Sequence, residues 1–343
     1  MITKPALTLL CFLVPFLTGA SPLDVYGRLL GKTVLSPSAL PALPEAITDD
    51  LPIETTNAIA RIEGELSKRG IAVIQDGPHF VLVFPQNLRG FLTNVPLYAA
   101  GPAASEAPPT AGAGLIDFAG ADLGQVLAVY AAISQRTILR PMSLPLPPVN
   151  LKSTCQLNVK EVAYAISTVL ALNGIAVVED GEKFAQVVPM AQRADVKTRA
   201  PKPEPGAKLF DPTKVPSTGF TDLPRPLTET ERIEREFERL RKAFYDFIHY
   251  KGPPARPAKR LLEFYASLAG KMAEASKGFD ELPIWFHVET PLSKSELLYA
   301  LETTFALNHL AVIAVADNRI RLGHITDPGK GTGKRAANPY PKR

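Results

Sequence analysis

Residues 174–189 read GIAVVEDGEKFAQVVP, and residues 70–85 read GIAVIQDGPHFVLVFP. Each stretch is a pair of β-type runs around an Asp-Gly dipeptide, Asp76-Gly77 and Asp180-Gly181, whose glycine tolerates the positive φ of a tight turn. The offset between them is 104 residues, 174 minus 70, and it holds far upstream without a gap. Val25-Tyr26 matches Val129-Tyr130, Thr33 matches Thr137, Pro37 matches Pro141, and Leu40-Pro41 matches Leu144-Pro145. A third copy follows at an offset of 135, where Tyr130-Ala131 becomes Tyr265-Ala266, Tyr164-Ala165 becomes Tyr299-Ala300 and Ala171-Leu172-Asn173 becomes Ala306-Leu307-Asn308. That copy is divergent: Ala316-Asp317-Asn318 replaces the Asp-Gly turn, and His309 stands where the other copies have glycine. Self-similarity at fixed offsets is the signature of a modular chain.

The second copy defines the unit. Ile116–Phe118 predicts a strand, and residues 125–135 predict a helix with Val126, Val129, Tyr130 and Ile133 on one face. Thr137–Leu139 and Val149–Leu151 are short β-type runs separated by a proline-rich bend at 141–148. A second helix over 159–173 carries Val162, Ile166, Val169 and Leu170 at helical spacing and stops at Gly174, before the hairpin. The expected fold class is therefore α+β, with three small βαββαββ repeats, each placing two amphipathic helices on one face of a short sheet. The expected repeat core is Ile62 and Leu66 in the first copy, Val162, Ile166 and Leu170 in the second, and Leu297, Leu301 and Phe305 in the third.

The expected organisation is a signal peptide at 1–20, copies at 21–88, 115–190 and 257–326, linkers at 89–114 and 191–226, a charged amphipathic helix at 227–251 and a basic disordered tail at 327–343. The first linker is rich in Ala, Pro and Gly and reads as a flexible tether; the second is rich in Pro and Lys and reads as extended and exposed. Thr228-Glu229-Thr230-Glu231 fits a capping box that starts the charged helix. Along that helix Ile233, Phe237, Leu240, Phe244 and Phe247 are spaced four, three, four, three, as in a coiled-coil seam for self-association. Packing of the same stripe on the third copy is the equal alternative.

The 343 residues include 33 prolines, too many to lie inside helices and strands, and carry a net charge of only +4, so nucleic acid is not implied as a partner. Lys4, the apolar run Leu7–Leu17 and Thr18-Gly19-Ala20 follow the order of a secretory signal, which predicts export to the periplasm. No later run is long and apolar enough for a membrane span, so no transmembrane segment is expected after cleavage. Of the two cysteines, Cys11 leaves with the signal, and Cys155 reads as a small buried hydrophobe rather than a ligand.

A strand ending Ile116-Asp117-Phe118, then Ala121-Asp122-Leu123, a helix, β-type runs around a proline, and a helix ending Leu172-Asn173-Gly174 before a hairpin that finishes at Pro189 resembles the N-terminal periplasmic domains of secretins. These are the ring-forming outer-membrane channels of type II secretion and type IV pilus systems. The resemblance covers roughly 23–85, 116–189 and, weakly, 261–325. It implies KH-like or ferredoxin-like modules that stack and bind partner proteins. The β-rich region that forms a secretin's barrel is missing, and the first copy lacks a recognisable opening strand.

Catalytic and metal signatures are not found. His79, His249, His287, His309 and His324 form no metal-ligand spacing, and no Ser or Cys sits in a nucleophile elbow. The run 329–334, GKGTGK, fails phosphate-loop spacing. The carboxylate pairs Glu161 with Glu179 and Asp117 with Asp122 carry no catalytic spacing. No cofactor is expected. The sequence therefore points to a non-catalytic periplasmic scaffold that contacts an outer-membrane secretin or its partners, with a homo-oligomer as a further option. Its rivals are an envelope protein that binds peptidoglycan or a peptide, and an enzyme with a site between copies.

Overall fold

The computed structural model describes residues 21–41, 43, 54–89, 98, 115–144, 148–214, 228–248 and 255–325. The expected signal peptide, the tail from 327 and most of the first linker lie outside them. The chain is mixed α+β. In chain order the elements are α1 (Pro22–Leu30), β1 (Thr33–Leu35), α2 (Thr55–Lys68), β2 (Ile71–Asp76), β3 (Phe80–Pro85), β4 (Asp117–Ala121), α3 (Leu123–Ser134) and β5 (Thr137–Leu139). They continue with β6 (Val149–Lys152), α4 (Val159–Leu172), β7 (Ile175–Asp180), β8 (Phe184–Pro189), β9 (Leu209–Phe210) and α5 (Glu229–Ile248). The last are β10 (Ala255–Pro257), α6 (Ala258–Ala269), β11 (Met272–Ala273), β12 (Pro283–Trp285), β13 (Leu292–Ser293), α7 (Lys294–Leu307), β14 (Leu310–Ala316) and β15 (Arg319–His324).

Three three-stranded sheets have the same order, β1-β3-β2, β5-β8-β7 and β11-β15-β14. In each, the short first strand runs parallel to the middle strand: Thr33 pairs with Phe80, Thr137 with Phe184 and Met272 with Arg319. The remaining strands of a copy do not join that sheet. They form separate antiparallel ribbons, β4–β6 and β10–β12, so the five strands divide into two small sheets instead of one. In the third copy the reason is local. The segment after β11 folds on itself, with the Ser276 amide donating to Asp280 at 3.0 Å and Leu282 to the Phe279 carbonyl at 3.1 Å, which turns β12 away.

The chain divides into two compact units, residues 1–134 with 146–175 and residues 135–145 with 176–343. In the first, Tyr26, Ile62, Leu66, Ile71, Val81 and Val83 make a core between α1, α2 and the β1-β3-β2 sheet. Val162, Ile166 and Leu170 of α4 are also buried. In the second, Leu261, Leu268, Leu297, Leu301, Phe305, Leu310 and Ile320 lead a larger core. All eight expected repeat-core residues are thus inside.

Helix ends follow capping chemistry. Asn158 and Ser293 each accept the amide of the glutamate three residues on, Glu161 and Glu296, whose carboxylate reaches back to the cap amide. The expected capping box at Thr228 is present, with Thr228 N donating to Glu231 at 2.8 Å. At the hairpin entry Gly70 and Gly174 have φ of 68° and 80°, and His309, the residue in glycine's place, is held at 59°. The backbone geometry is kept where the side chain no longer favours it.

The expected self-association stripe lies largely inside the second unit. Leu240 and Phe244 are buried, and Phe237 packs on the same core; Phe210 meets the Phe237 ring at 5.1 Å and the Phe244 ring at 5.7 Å. Ile233 is 54% exposed, and the side chain of Phe247 falls outside the description. Packing on the third copy, the alternative reading of the stripe, is therefore the one observed: burying aromatic rings within the chain removes them from water without the loss of freedom that association requires. The second linker also departs from expectation. It is not exposed throughout, because Phe210 is 1% exposed and β9 pairs antiparallel with β13.

Candidate functional site

Among the described residues, the most elaborated polar chemistry lies where the hairpin of one copy meets the second helix of the next, and it is built twice. In the first unit Asp76 ends β2 with no exposed surface, and its carboxylate accepts the hydroxyl proton of Tyr164 from α4. In the second unit Asp180 ends β7 equally buried and accepts from Tyr299 of α7. The offsets are those of the sequence repeat, 104 from Asp76 to Asp180 and 135 from Tyr164 to Tyr299. Asp180 also accepts from the side chain of Gln186 at 2.7 Å and the amide of Ala200 at 3.0 Å, so its charge is answered on both oxygens. Burial, and then the bond to the aspartate, pushes both tyrosine hydroxyls well above their ordinary pKa, so each remains a donor.

Around this pair the remaining contacts correspond one to one. Phe80 packs against the Tyr164 ring at 5.2 Å, and Phe184 against the Tyr299 ring at 5.4 Å. At the hairpin tip His79 meets Glu161 at 2.6 Å, and Lys183 meets Glu296 at 2.9 Å. These are the capping-box glutamates, so one carboxylate both closes a helix and receives the residue at a neighbouring hairpin tip. Thr33 and Thr137 hydroxyls accept the amides of Thr154 and Glu289, both at 3.3 Å. The side chains of Asn173 and Asn308 accept the amides of Ser38 and Met142 at 3.0 and 2.9 Å. The outgoing chain then lies over the tip: the Tyr98 amide donates to the Tyr164 hydroxyl at 3.1 Å in the first unit, and Ala200 reaches Asp180 in the second.

Sequence reasoning placed Asp76-Gly77 and Asp180-Gly181 in the turns, and the glycines do adopt φ of 71° and 66°. The aspartates do other work, as buried acceptors for a helix about 90 to 120 residues away. The signal for this was present: Glu161 and Tyr164 recur together as Glu296 and Tyr299, three apart on one helix face.

The other singled-out groups are engaged structurally. Glu179 pairs with Arg136 at 2.9 Å, and Asp117 with Lys152 at 3.7 Å. Asp122 caps α3 by accepting the Gln125 amide at 2.9 Å. His287 pairs with Glu289 at 3.3 Å, His324 stacks edge-on against Phe279 at 4.8 Å, and His309 is exposed at the end of α7. Cys155 is half-buried beside the first contact, 3.6 Å from the Thr33 hydroxyl, and so is a participant in a polar contact and not the buried hydrophobe expected. Among the described residues no group of three or more His, Cys, Asp and Glu could hold a metal, and no helix is long and apolar enough to cross a membrane. A shallow depression of about 430 Å³ on the first unit is lined by Glu63 and Ser67 of α2, the β2 edge from Ile71 to Gln75, and Gln86 and Arg89.

The GKGTGK run at 329–334 and His249 lie outside the described residues. Compared with known protein families, curated proteins and solved structures, the chain matches none.

Proposed function

We propose that this chain is a non-catalytic protein of the bacterial periplasm that works as a scaffold for a secretin-type secretion or type IV pilus apparatus, acting by protein contact. The observation that carries the reading is the twice-built contact between a hairpin tip and the next helix. Its buried carboxylates and tyrosines, with His79 and Lys183 at the hairpin tips, hold one module on another. The resemblance of the copies to secretin N-domains and the signal-like order of residues 1–20 supply the setting.

Affinity purification from gently solubilised envelopes tests this. A secretin or its periplasmic partner should be recovered, and recovery should persist in moderate salt, because backbone pairing and apolar burial are screened little. Recovery of peptidoglycan or peptide alone would move the ligand-binding reading ahead, with the depression along the β2 edge as its site. Intact mass of envelope-derived protein should show cleavage near Ala20. A species retaining Met1 in the cytoplasm would remove the periplasmic reading.

A further inference from the structure

The two module contacts share their Asp–Tyr pair, their aromatic pair and their capping-box glutamate, and they differ at the hairpin tip. In the second unit the tip residue is Lys183, whose ammonium donates to Glu296 Oε2 at 2.9 Å and to the Pro291 carbonyl at 3.0 Å. In the first unit, at the offset of 104, it is His79, whose Nδ1 lies 2.6 Å from Glu161 Oε1. Both glutamates are buried. A lysine keeps its charge throughout the physiological range, whereas an imidazole gains and loses its proton between about pH 5 and 8.

The surroundings of Glu161 leave its charge to His79. Its Oε2 accepts the Asn158 amide at 2.8 Å, and its Oε1 accepts the Tyr98 hydroxyl at 3.4 Å beside the imidazole. Among the described residues no lysine or arginine forms an ion pair with it. Lys32, which also reaches this tip, donates to the Gln75 side chain and the Gly77 carbonyl, both at 2.8 Å. The other ionisable groups of the contact are Asp76, which holds the Tyr164 hydroxyl, and Cys155, whose Sγ lies 3.9 Å from the His79 carbonyl. A carboxylate taken out of water is stabilised by a charged partner and costs free energy without one. That partner is permanent in the second contact and conditional in the first.

We propose that the first contact is an acid-set latch: protonation of His79 clamps the hairpin tip of the first copy onto the amino end of α4, and loss of that proton loosens it while the Lys183 contact stays closed. The inference is independent of the envelope role. Its direction follows from the charges. Between about pH 5 and 6 a carboxylate is ionised and an imidazole protonated together, and the pair is complete. As pH rises further the proton leaves, Glu161 faces a neutral ring, and a charge-assisted bond becomes an ordinary one. In the second unit His287 meets Glu289 at 3.3 Å, but neither bonds to Lys183 or Glu296, so that tip is held at either pH.

Hydrogen exchange on the full chain reads both contacts at once, expressed as protection factors so that the intrinsic pH dependence of exchange cancels. From about pH 5.5 to about pH 8, protection of the 77–79 tip and the first turn of α4 should fall about three- to fivefold. That is the gap between a charge-assisted and a neutral hydrogen bond, discounted for the exposed part of the imidazole. The 181–183 tip and the first turn of α7 should hold steady. His79→Lys should remove the response of the first contact, and Lys183→His should confer one on the second. Circular dichroism checks that each variant is folded; either swap alone suffices, and the wild-type comparison stands without them. An equal response at both contacts, no response at the first, or a response that survives His79→Lys would each overturn the proposal.

Discussion

Replacing Tyr299 by Phe deletes one oxygen from the contact in the second unit and leaves its shape in place. The ring keeps its packing on Phe184 at 5.4 Å, so the loss isolates the bond to Asp180. Asp180 is 0% exposed, and water does not replace the missing hydroxyl. Its carboxylate keeps Gln186 and Ala200 as donors, which prevents the full penalty of a bare buried charge. What is lost is one hydrogen bond to an ionised acceptor, about 1.5–3 kcal/mol, which for a unit of this size lowers the melting temperature by about 2–4 °C per kcal/mol. Urea unfolding measures the energy. Hydrogen exchange locates it, and should quicken at the 181–183 tip and the first turn of α7 while α6 keeps its protection. Tyr164→Phe should repeat the result in the first unit, since Asp76 is buried in the same way. A loss below about 0.5 kcal/mol, the scatter of neutral surface changes, would refute the view that the Tyr–Asp pair holds helix to hairpin.

Three further expectations rest on single residues. His309→Gly should raise stability by about 1 kcal/mol in urea unfolding, since an exposed histidine at φ 59° carries the cost of the left-handed region; Gly174→Ala should lower it by a similar amount, and the opposite signs would defeat the argument. Phe244→Ala should cost about 3–5 kcal/mol, because the ring is fully buried; unchanged stability with a reduced solution mass would restore the coiled-coil reading of that helix. Burial raises the Glu302 carboxyl pKa, opposed by the Tyr265 hydroxyl donating at 2.6 Å, so the folded value lies above the unfolded one. Its contribution is then complete below the unfolded pKa and is lost as pH rises through the folded value. Melting temperature against pH should therefore fall relative to Glu302→Gln across that rise, and parallel curves would show that the group does not titrate in this way.

The elements were legible because each is set by its own neighbours. Apolar spacing located α4 at Val159–Leu172 within a residue of the reading, the Thr228 box opened α5, and the two Asp-Gly hairpins fall where the repeat put them. The stripe of α5 was legible only as a stripe: its three- and four-residue spacing is equally suited to a second chain or to the core that Phe210 and Phe264 build beside it. Phe210 itself sat in a stretch whose prolines and lysines read as exposed tether, and one aromatic residue was enough to anchor it.

By itself the amino-acid order determined the α+β class, the offsets of 104 and 135, the apolar face of each helix and the glycine positions at the hairpins. Those features depend on interactions over a few residues, so periodicity and turn chemistry carry them. Only the tertiary structure decided what Asp76, Asp180, Glu161 and Glu296 are for. Each partner lies 82 to 119 residues away, and a carboxylate at the end of a strand or the start of a helix has the same local spacing whether it faces water or a neighbouring copy.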